Sequence, residues 1–322
     1  MARRNILVLP GGGVKGMMQS AALAAMEKRL IHSGAVKYSI MEMFDMVVGV
    51  SVGSINGAML CTHIVNAQEA HEIFTNTVKK VFKSSILSVF SRSKYSRTGI
   101  HDAFADLYKR AGYAPMQMKQ LVTDLMIVAV SKVDNLPHYF KSWEQKDGEL
   151  LLLDAVDRSY AAPFFFGPVV DEAGQQVWFD GGTGLDNMPL LETHYEIMHR
   201  GWQDDDIHIV TVGTGFTDGT FSFKEAKGGN KLTDILFFND PDDGGLARKQ
   251  ARAVSLAYFN RLTELVLHNT THQYIDSIIP ANADKMDALE MVPYYEMRGE
   301  TSGVCADVVR LCANRASNTP QS

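Results

Sequence analysis

The chain of 322 residues has little of three things that would point to common classes of protein. Its only cysteines are Cys61, Cys305 and Cys312, and no two form a CxxC pair, so neither a disulfide framework nor a thiolate metal centre is expected. Basic residues are not in excess: 31 Lys and Arg against 37 Asp and Glu give a net charge of −6. That balance argues against a nucleic-acid-binding protein.

Long apolar runs are also missing. Arg3 and Arg4 precede only the four apolar residues 6–9, which is shorter than the apolar region of about 7–15 residues in a signal peptide. No window of about 18 apolar residues exists, so no transmembrane segment is expected. With 46% hydrophobic and 21% charged residues the composition is that of a globular protein. We therefore expect a cytoplasmic protein.

Short apolar runs alternate with helix-forming stretches, which predicts an α/β fold. The first 65 residues follow a strand–helix–strand–helix pattern with short turns, typical of a parallel sheet with right-handed crossovers. The predicted strands are 5–9, 44–50, 125–130, 138–141, 176–179, 207–212 and 273–279. The predicted helices are 17–30, 52–63, 67–82, 101–111, 150–160, 189–200, 246–268 and 304–314. We expect one domain over 1–316, with a C-terminal helical part at 246–316 and a flexible tail at 317–322.

The strongest local motif is G-x-S-x-G at 49–53, between an apolar strand and a helix-forming stretch. In that context the serine lies on a strained turn, and glycines on both sides leave it room. Ser51 also stands at the start of a helix, where free N–H groups favour negative charge. These features predict a nucleophile. The alternative is a plain serine N-cap in a glycine-rich turn.

A second glycine-rich turn, residues 11–16, follows the first strand and opens the first helix. Successive glycines expose backbone N–H groups that can bind an anion at the carboxyl edge of a parallel sheet. The same residues fit the dinucleotide fingerprint G-x-G-x-x-G, which requires an acidic residue about 20 residues later, at the end of the second strand. Asp45 stands at the wrong end of that strand. A dinucleotide-binding oxidoreductase therefore remains only a remote alternative.

A serine nucleophile needs a base. The candidate histidines fit ordinary structural positions: they are His194, His199, His208, His268 and His272. Asp180 differs, because a short strand leads to it and Gly181 and Gly182 clear the space behind it. An aspartate has a pKa near 4 in water, but burial raises that pKa and makes the carboxylate a better base. A Ser–Asp dyad is therefore chemically possible. Asp-Gly-Gly alone is more typical of a turn, and it is its occurrence together with the other two motifs that favours a catalytic aspartate.

Together these motifs resemble those of the patatin-like phospholipase family: G-G-G-x-[K/R]-G at 11–16, G-x-S-x-G at 49–53 and D-G-[G/A] at 180–182, in the family's order within residues 5–215. Residues 159–166 also resemble the family's S-x-A-x-P segment. The resemblance implies a three-layer α/β/α fold with a mainly parallel sheet, and hydrolysis of acyl esters of membrane glycerolipids through an acyl-enzyme. The chain departs from the family's pattern in two places. The proline of Asn187-Met188-Pro189 comes one residue later after the aspartate than in the family, and Asp157-Arg158-Ser159 stands where many members have Arg-Ala-Ser. Both departures leave the shape of the local loops and the choice of substrate open.

The resemblance also assigns roles. Ser51 is the expected nucleophile and Asp180 the expected base, with no metal or other cofactor. The expected oxyanion and substrate-binding residues are Gly11, Gly12, Gly13, Lys15, Gly16 and Val52. The expected supporting glycines of the two catalytic motifs are Gly49, Gly53, Gly181 and Gly182. Asp240 begins a calcium-like loop, but Ala251 replaces the glutamate at its twelfth position, so we interpret it as a turn.

Residues 73–101 contain no acidic side chain, and apolar residues are interleaved among their basic ones. The basic residues are Lys79, Lys80, Lys83, Arg92, Lys94 and Arg97. Such a stretch, 79–97, can bind an anionic lipid surface at about 1 kcal/mol per basic residue. The alternative is a solvated loop whose apolar residues, such as Tyr95, pack on the core. A further hypothesis is that the hydrolase is an effector held inactive until a ligand or partner protein opens its site.

Overall fold

The computed structural model of the chain describes residues 1–82, 94–163, 165–183, 187–215, 269–277, 279 and 289–306. Its centre is a sheet in which the described strands follow the order β5-β6-β3-β2-β1-β7-β8, with β4 paired to β3. The strands are β1 Arg3–Leu9, β2 Met46–Val50, β3 Asp124–Ser131, β4 Pro137–Lys141, β5 Val169–Asp171, β6 Gln176–Asp180, β7 Asp206–Val212 and β8 Thr270–Ile275. The described helices are α1 Gly16–His32, α2 Val52–Cys61, α3 Ala67–Val81, α4 Thr98–Ala111, α5 Gln145–Gly148, α6 Leu152–Ser159, α7 Leu190–His199 and α8 Val292–Cys305.

The sheet is mainly parallel and covered on both faces. Strands β1, β2, β3, β7 and β8 pair in parallel, while β4, β5 and β6 join antiparallel. Successive side chains point to opposite faces of a strand. Leu7 and Leu9 accordingly belong to the larger core under α1 to α4, whereas Ile6 and Val8 pack with α7 residues such as Ile197 on the other face. This arrangement confirms the predicted three-layer α/β/α fold.

The register of β3 brings two strand ends together. Strand β2 runs parallel to β3 and ends with the pair Val50↔Val128. Strand β4 pairs with residues 126–130 of β3 and so occupies the other edge along the parts of β3 that β2 and β6 use. Strand β6 therefore shares the β2 edge of β3, runs in the opposite direction, and ends with the pair Asp180↔Ala129. Because the two strands approach from opposite ends of one edge, the residues that follow Val50 and Asp180 meet head-on.

Most predicted elements are present with boundaries shifted by one to three residues. The prediction failed in three places: β5 was not predicted, the short helix α5 was not predicted, and α8 begins twelve residues before the helix expected at 304–314. Strand β8 also begins and ends earlier than predicted. Helix α8 was missed because Pro293 and two glycines weaken its pattern, whereas Gly299 and Gly303 allow close packing on α1.

Several expectations fall outside the described residues. They include the helix at 246–268, the calcium-like turn at 240–251, the tail and residues 83–93 of the basic segment. Strand β8 pairs with β7, and α8 packs against α1, so both described C-terminal elements join the same architecture. The single-domain organisation over 1–316 stays a prediction. No helix in the described part of the chain is long and apolar enough to cross a membrane.

Candidate active site

Ser51 occupies a strained turn between β2 and α2. Its backbone has φ 53° and ψ −122°, a region that costs a non-glycine residue about 1–3 kcal/mol. Its flanking glycines are required by space, because a Cβ on Gly49 would lie 2.7 Å from the Gly53 carbonyl oxygen and one on Gly53 would lie 1.9 Å from the Leu9 carbonyl oxygen. The turn therefore depends on the two glycines that the motif places there.

Asp180 lies directly beside this serine. The Ser51 Oγ donates a hydrogen bond to Asp180 Oδ2 at 2.6 Å, and the Gly182 amide donates to Asp180 Oδ1 at 2.7 Å. Both side chains are buried, and no cation of the described residues contacts the carboxylate. Burial raises the pKa of Asp180 to about 6, while the hydrogen bonds from Ser51 and Gly182 act to lower it. The carboxylate is ionised at neutral pH and can still accept a proton there.

The glycine-rich turn faces the same point. A Cβ on Gly11 would lie 3.0 Å from the Cβ of Ser51, so the turn packs directly against the serine. The Gly11 amide donates to Asn187 Oδ1 at 3.1 Å and is therefore occupied in this conformation. Gly13, at φ 60°, lines the cavity beside Ser51 together with Val52. Gly13 is thus the glycine of this turn that lines the cavity, whereas the amide of Gly11 is bonded to Asn187.

The remaining motif residues have packing roles in this arrangement. A Cβ on Gly16 would lie 2.2 Å from a methyl group of Val52, which explains the close approach of α1 and α2. A Cβ on Gly181 would lie 2.5 Å from the Val128 carbonyl oxygen. Lys15 is 2% exposed and is not among the residues that line the cavity beside Ser51, and its expected role in substrate binding stays a prediction.

Asn187 and Thr214 complete the glycine turn and were not predicted as site residues. The Asn187 carboxamide bonds both the amide and the carbonyl of Gly11, the latter at 3.4 Å. The Thr214 hydroxyl donates to the same carbonyl at 3.0 Å. The only sequence signal was the presence of Asn187 near the expected proline. Contacts that span 176 and 203 residues carry no local pattern.

Residues of the S-x-A-x-P segment are hydrogen-bonded to the main chain of both Ser51 and Asp180. The Ser51 amide donates to Ser159 Oγ at 2.9 Å, and the Ser159 hydroxyl donates to the Val128 carbonyl at 2.6 Å. The Asp180 amide donates to the Ala161 carbonyl at 3.1 Å. The sequence placed this segment near the site by resemblance alone and did not indicate these bonds.

A narrow apolar cavity of about 30 Å³ leads from Ser51 between α2, α3 and α4. Four aromatic side chains are among its lining residues: Phe74, Phe82, Tyr160 and Phe166. Tyr160 packs edge-on against Phe166 at 5.0 Å between ring centroids, and Phe82 packs against Phe166 at 6.0 Å. Its remaining walls are mostly aliphatic. The cavity has the polarity of a hydrocarbon chain, but in this conformation it holds no more than a water-sized volume.

None of the described histidines contacts Ser51 or Asp180. Burial lowers the pKa of His194 and of His272 to about 4, so both are neutral at physiological pH. His208 is buried within β7, and His199 stacks on Tyr195. His268 lies outside the described residues.

The described ends of the basic segment differ from each other. Lys79 and Lys80 are exposed on the last turn of α3. Arg97 instead donates to the Gly167 carbonyl at 2.6 Å, and Tyr95 is 7% exposed, so these two residues belong to the packed structure. The position of Tyr95 therefore agrees with the alternative interpretation of this segment, in which its apolar residues pack on the core.

The dinucleotide alternative loses its support at this point. Asp45 accepts a hydrogen bond from the Asn5 amide at 2.8 Å, at the end of β2 opposite to Ser51. The end of β2 where a ribose-binding carboxylate would be required carries Ser51 instead.

Comparison with known proteins identifies the family of the chain. The family model for patatin-like phospholipase matches residues 7–194, and the chain belongs to that family. The chain is 26% identical over 249 residues to a cGAMP-activated phospholipase of Escherichia coli (strain TW11681), covering 68% of this chain and 64% of that protein. A cGAMP-activated phospholipase of Vibrio cholerae is 24% identical over 227 residues, covering 65% of this chain and 64% of that protein. The chain thus spans slightly under two thirds of the length of these relatives.

Among solved structures, VipD from Legionella pneumophila matches with a TM-score of 0.46 and 13% identity, over 96% of this chain and 67% of that chain. The type III effector protein ExoU matches with a TM-score of 0.38 and 11% identity, over 96% of this chain and 53% of that chain.

Proposed function

We propose that the protein is a lipid acyl hydrolase that cleaves fatty-acyl esters of membrane glycerolipids with Ser51 as nucleophile and Asp180 as base. One observation carries this proposal: a buried serine hydroxyl on a strained turn lies 2.6 Å from a buried carboxylate that has no cation partner among the described residues. Membership of the patatin-like phospholipase family supports the choice of substrate class.

In the first half-reaction the Ser51 Oγ attacks the ester carbonyl carbon while its proton passes to Asp180. The carbonyl π electrons move to oxygen, and the Gly12 and Gly13 amides stabilise the resulting oxyanion. When the tetrahedral intermediate collapses, the bond to the leaving oxygen breaks and Asp180 returns the proton to the lysolipid alcohol. The product is an acyl ester of Ser51.

Water completes the second half-reaction by the same route. Asp180 accepts a proton from water as the oxygen attacks the acyl-enzyme, and the proton then returns to the Ser51 Oγ when the fatty acid leaves. A pKa of about 6 suits both directions of transfer, because a base near the working pH accepts and gives back a proton readily.

The test is fatty-acid release from phospholipid vesicles, together with labelling by a fluorophosphonate that reacts with activated serines. The wild-type protein is expected to release fatty acid and to take up one label at Ser51. Ser51→Ala should do neither while keeping its folded far-ultraviolet circular dichroism. Vesicles left intact by a folded wild-type protein, with no labelling under any activating condition, would contradict the proposal.

A second proposal concerns control: the hydrolase requires an activating ligand. The small size of the cavity beside Ser51 supports it, because 30 Å³ is too little for an acyl chain and its walls would have to move before substrate binds there. Two relatives are named for activation by cGAMP, which makes that cyclic dinucleotide the first ligand to try. Fatty-acid release should rise at least tenfold when cGAMP is added. Equal, full activity with and without every cyclic dinucleotide tested would show that the site opens unaided.

A further inference from the structure

The hydroxyl of Ser159 lies between two strands at the point where β2 leaves the sheet. It accepts the Ser51 amide at 2.9 Å and donates to the Val128 carbonyl at 2.6 Å, and the residue is fully buried. The last β2–β3 pair is Val50↔Val128. Beyond it Ser51 turns away, so the Ser51 amide and the Val128 carbonyl have no strand partner and are joined through this hydroxyl instead.

The neighbouring backbone holds the other half of the pair. Two residues after Ser159, the Ala161 carbonyl accepts the Asp180 amide at 3.1 Å. The segment 159–161 is thus bonded to the main chain of Ser51 and to that of Asp180 on either side of Val128. A strained backbone persists only where the surroundings over-determine it, and Ser159 supplies such a constraint at Ser51.

We infer that Ser159 is a positioning residue for the proposed hydrolysis: its hydroxyl fixes the turn so that the Ser51 Oγ stays within hydrogen-bond distance of Asp180. This inference rests on the proposed function. Ser159 itself contacts neither the Ser51 side chain nor the Asp180 carboxylate in the described hydrogen bonds. Its effect is transmitted through the Ser51 backbone.

The experiment compares Ser159→Ala with Ser142→Ala. Ser142 is a matched control, since its buried hydroxyl accepts the Leu125 amide at 2.9 Å near the start of the same strand, β3, remote from the dyad. Ser159→Ala removes two hydrogen bonds of the hydroxyl and Ser142→Ala removes the one from the Leu125 amide, so the larger loss of thermal stability is expected in Ser159→Ala, while both variants are expected to fold. Ser159→Ala should lower kcat on a short soluble ester by 10- to 100-fold with KM changed less than threefold. Ser142→Ala should leave both within twofold.

The pH profile separates positioning from a merely structural role. The hydrogen bond from Ser51 lowers the pKa of Asp180, so loss of that bond lets the pKa rise. The acidic limb of kcat/KM should therefore move to higher pH in Ser159→Ala and stay in place in Ser142→Ala. Labelling of Ser51 by the fluorophosphonate should slow in the same proportion as kcat.

Equal kcat, labelling rate and acidic limb in the two alanine variants would overturn the inference. If Ser159→Ala does not fold, Ser159→Cys keeps a weaker donor and acceptor at the position and is expected to show the same shifts at smaller size; an unshifted Ser159→Cys profile would equally overturn it. The proposed function fails separately, when Ser51→Ala retains the hydrolysis or labelling of the wild type.

Discussion

Two buried carboxylates, Asp180 at the carboxyl edge of the sheet and Glu196 on α7, are held in opposite ways. Glu196 accepts Lys141 Nζ at 2.7 Å and Arg200 Nε at 3.1 Å, so two cations compensate its charge. Asp180 accepts only a hydroxyl and an amide in the described structure. Breaking a buried ion pair is costly because it leaves the partner charge unpaired, whereas a buried carboxylate without a cation beside it is a candidate for chemistry. The difference supports the proposed role of Asp180 as the base.

The two carboxylates are expected to differ most in their effect on catalytic activity. Asp180→Asn should lower fatty-acid release by about 10⁴-fold, because the amide cannot accept the Ser51 proton. Glu196→Gln, the matched change at the other carboxylate, should retain near wild-type kcat once folded. Turnover of a soluble ester by both variants checks this, and comparable losses in the two would remove the distinction.

The free energy of unfolding should suffer from the change at Glu196 and not from the change at Asp180. Glu196→Gln leaves Lys141, whose side chain is only 10% exposed, without its closest partner and should lower the free energy of unfolding by about 3 kcal/mol. Denaturant unfolding at neutral pH provides the measurement. Adding Lys141→Met to Glu196→Gln should recover much of the loss; failure to recover would show that the ion pair is not the cause.

The pH dependence of stability sharpens the contrast at Asp180. The folded pKa of about 6 lies above the ordinary aspartate value of 3.8, so the contribution of this group to stability is fully present below pH 3.8 and is lost as the pH rises through 6. The free energy of unfolding of Asp180→Asn should therefore rise relative to that of the wild type between pH 4 and 7, by up to about 3 kcal/mol. Catalysis has the opposite requirement, and kcat/KM should fall about tenfold per pH unit below 6. A pH-independent difference between the two proteins would show that the burial of this charge costs nothing.

The smallest expected effect concerns the aromatic wall of the cavity. Phe82→Ala and Phe166→Ala should each enlarge the space for an acyl chain and raise the ratio of long-chain to short-chain ester hydrolysis by roughly fivefold, the worth of about 1 kcal/mol. Phe165 stacks on Tyr95 but does not line the cavity, so Phe165→Ala is the control. If the ratio changes equally in all three variants, Phe82 and Phe166 do not determine which acyl-chain length is hydrolysed.

The sequence could indicate those parts of the site whose contacting residues lie close together along the chain. The G-x-S-x-G turn is local: its strand, its glycines and its helix lie within about fifteen residues, and the predicted and observed elements agree. Asn187, Thr214 and Ser159 act on residues more than 100 positions away. No periodicity or motif geometry could assign those partners, although the resemblance had placed the segment containing Ser159 close by.

The sequence alone determined the order of strands and helices near the N-terminus and identified Ser51 and Asp180 as candidates. It could do so because short apolar runs and glycine-bounded turns are short-range properties. Only the tertiary structure decided that β2 and β6 end face to face on β3, that a serine hydroxyl bridges the gap between strands there, and that the Gly11 amide is occupied by Asn187. Those features depend on strand register and on packing between distant segments, and the energy of such contacts is defined only once the whole chain has folded around them.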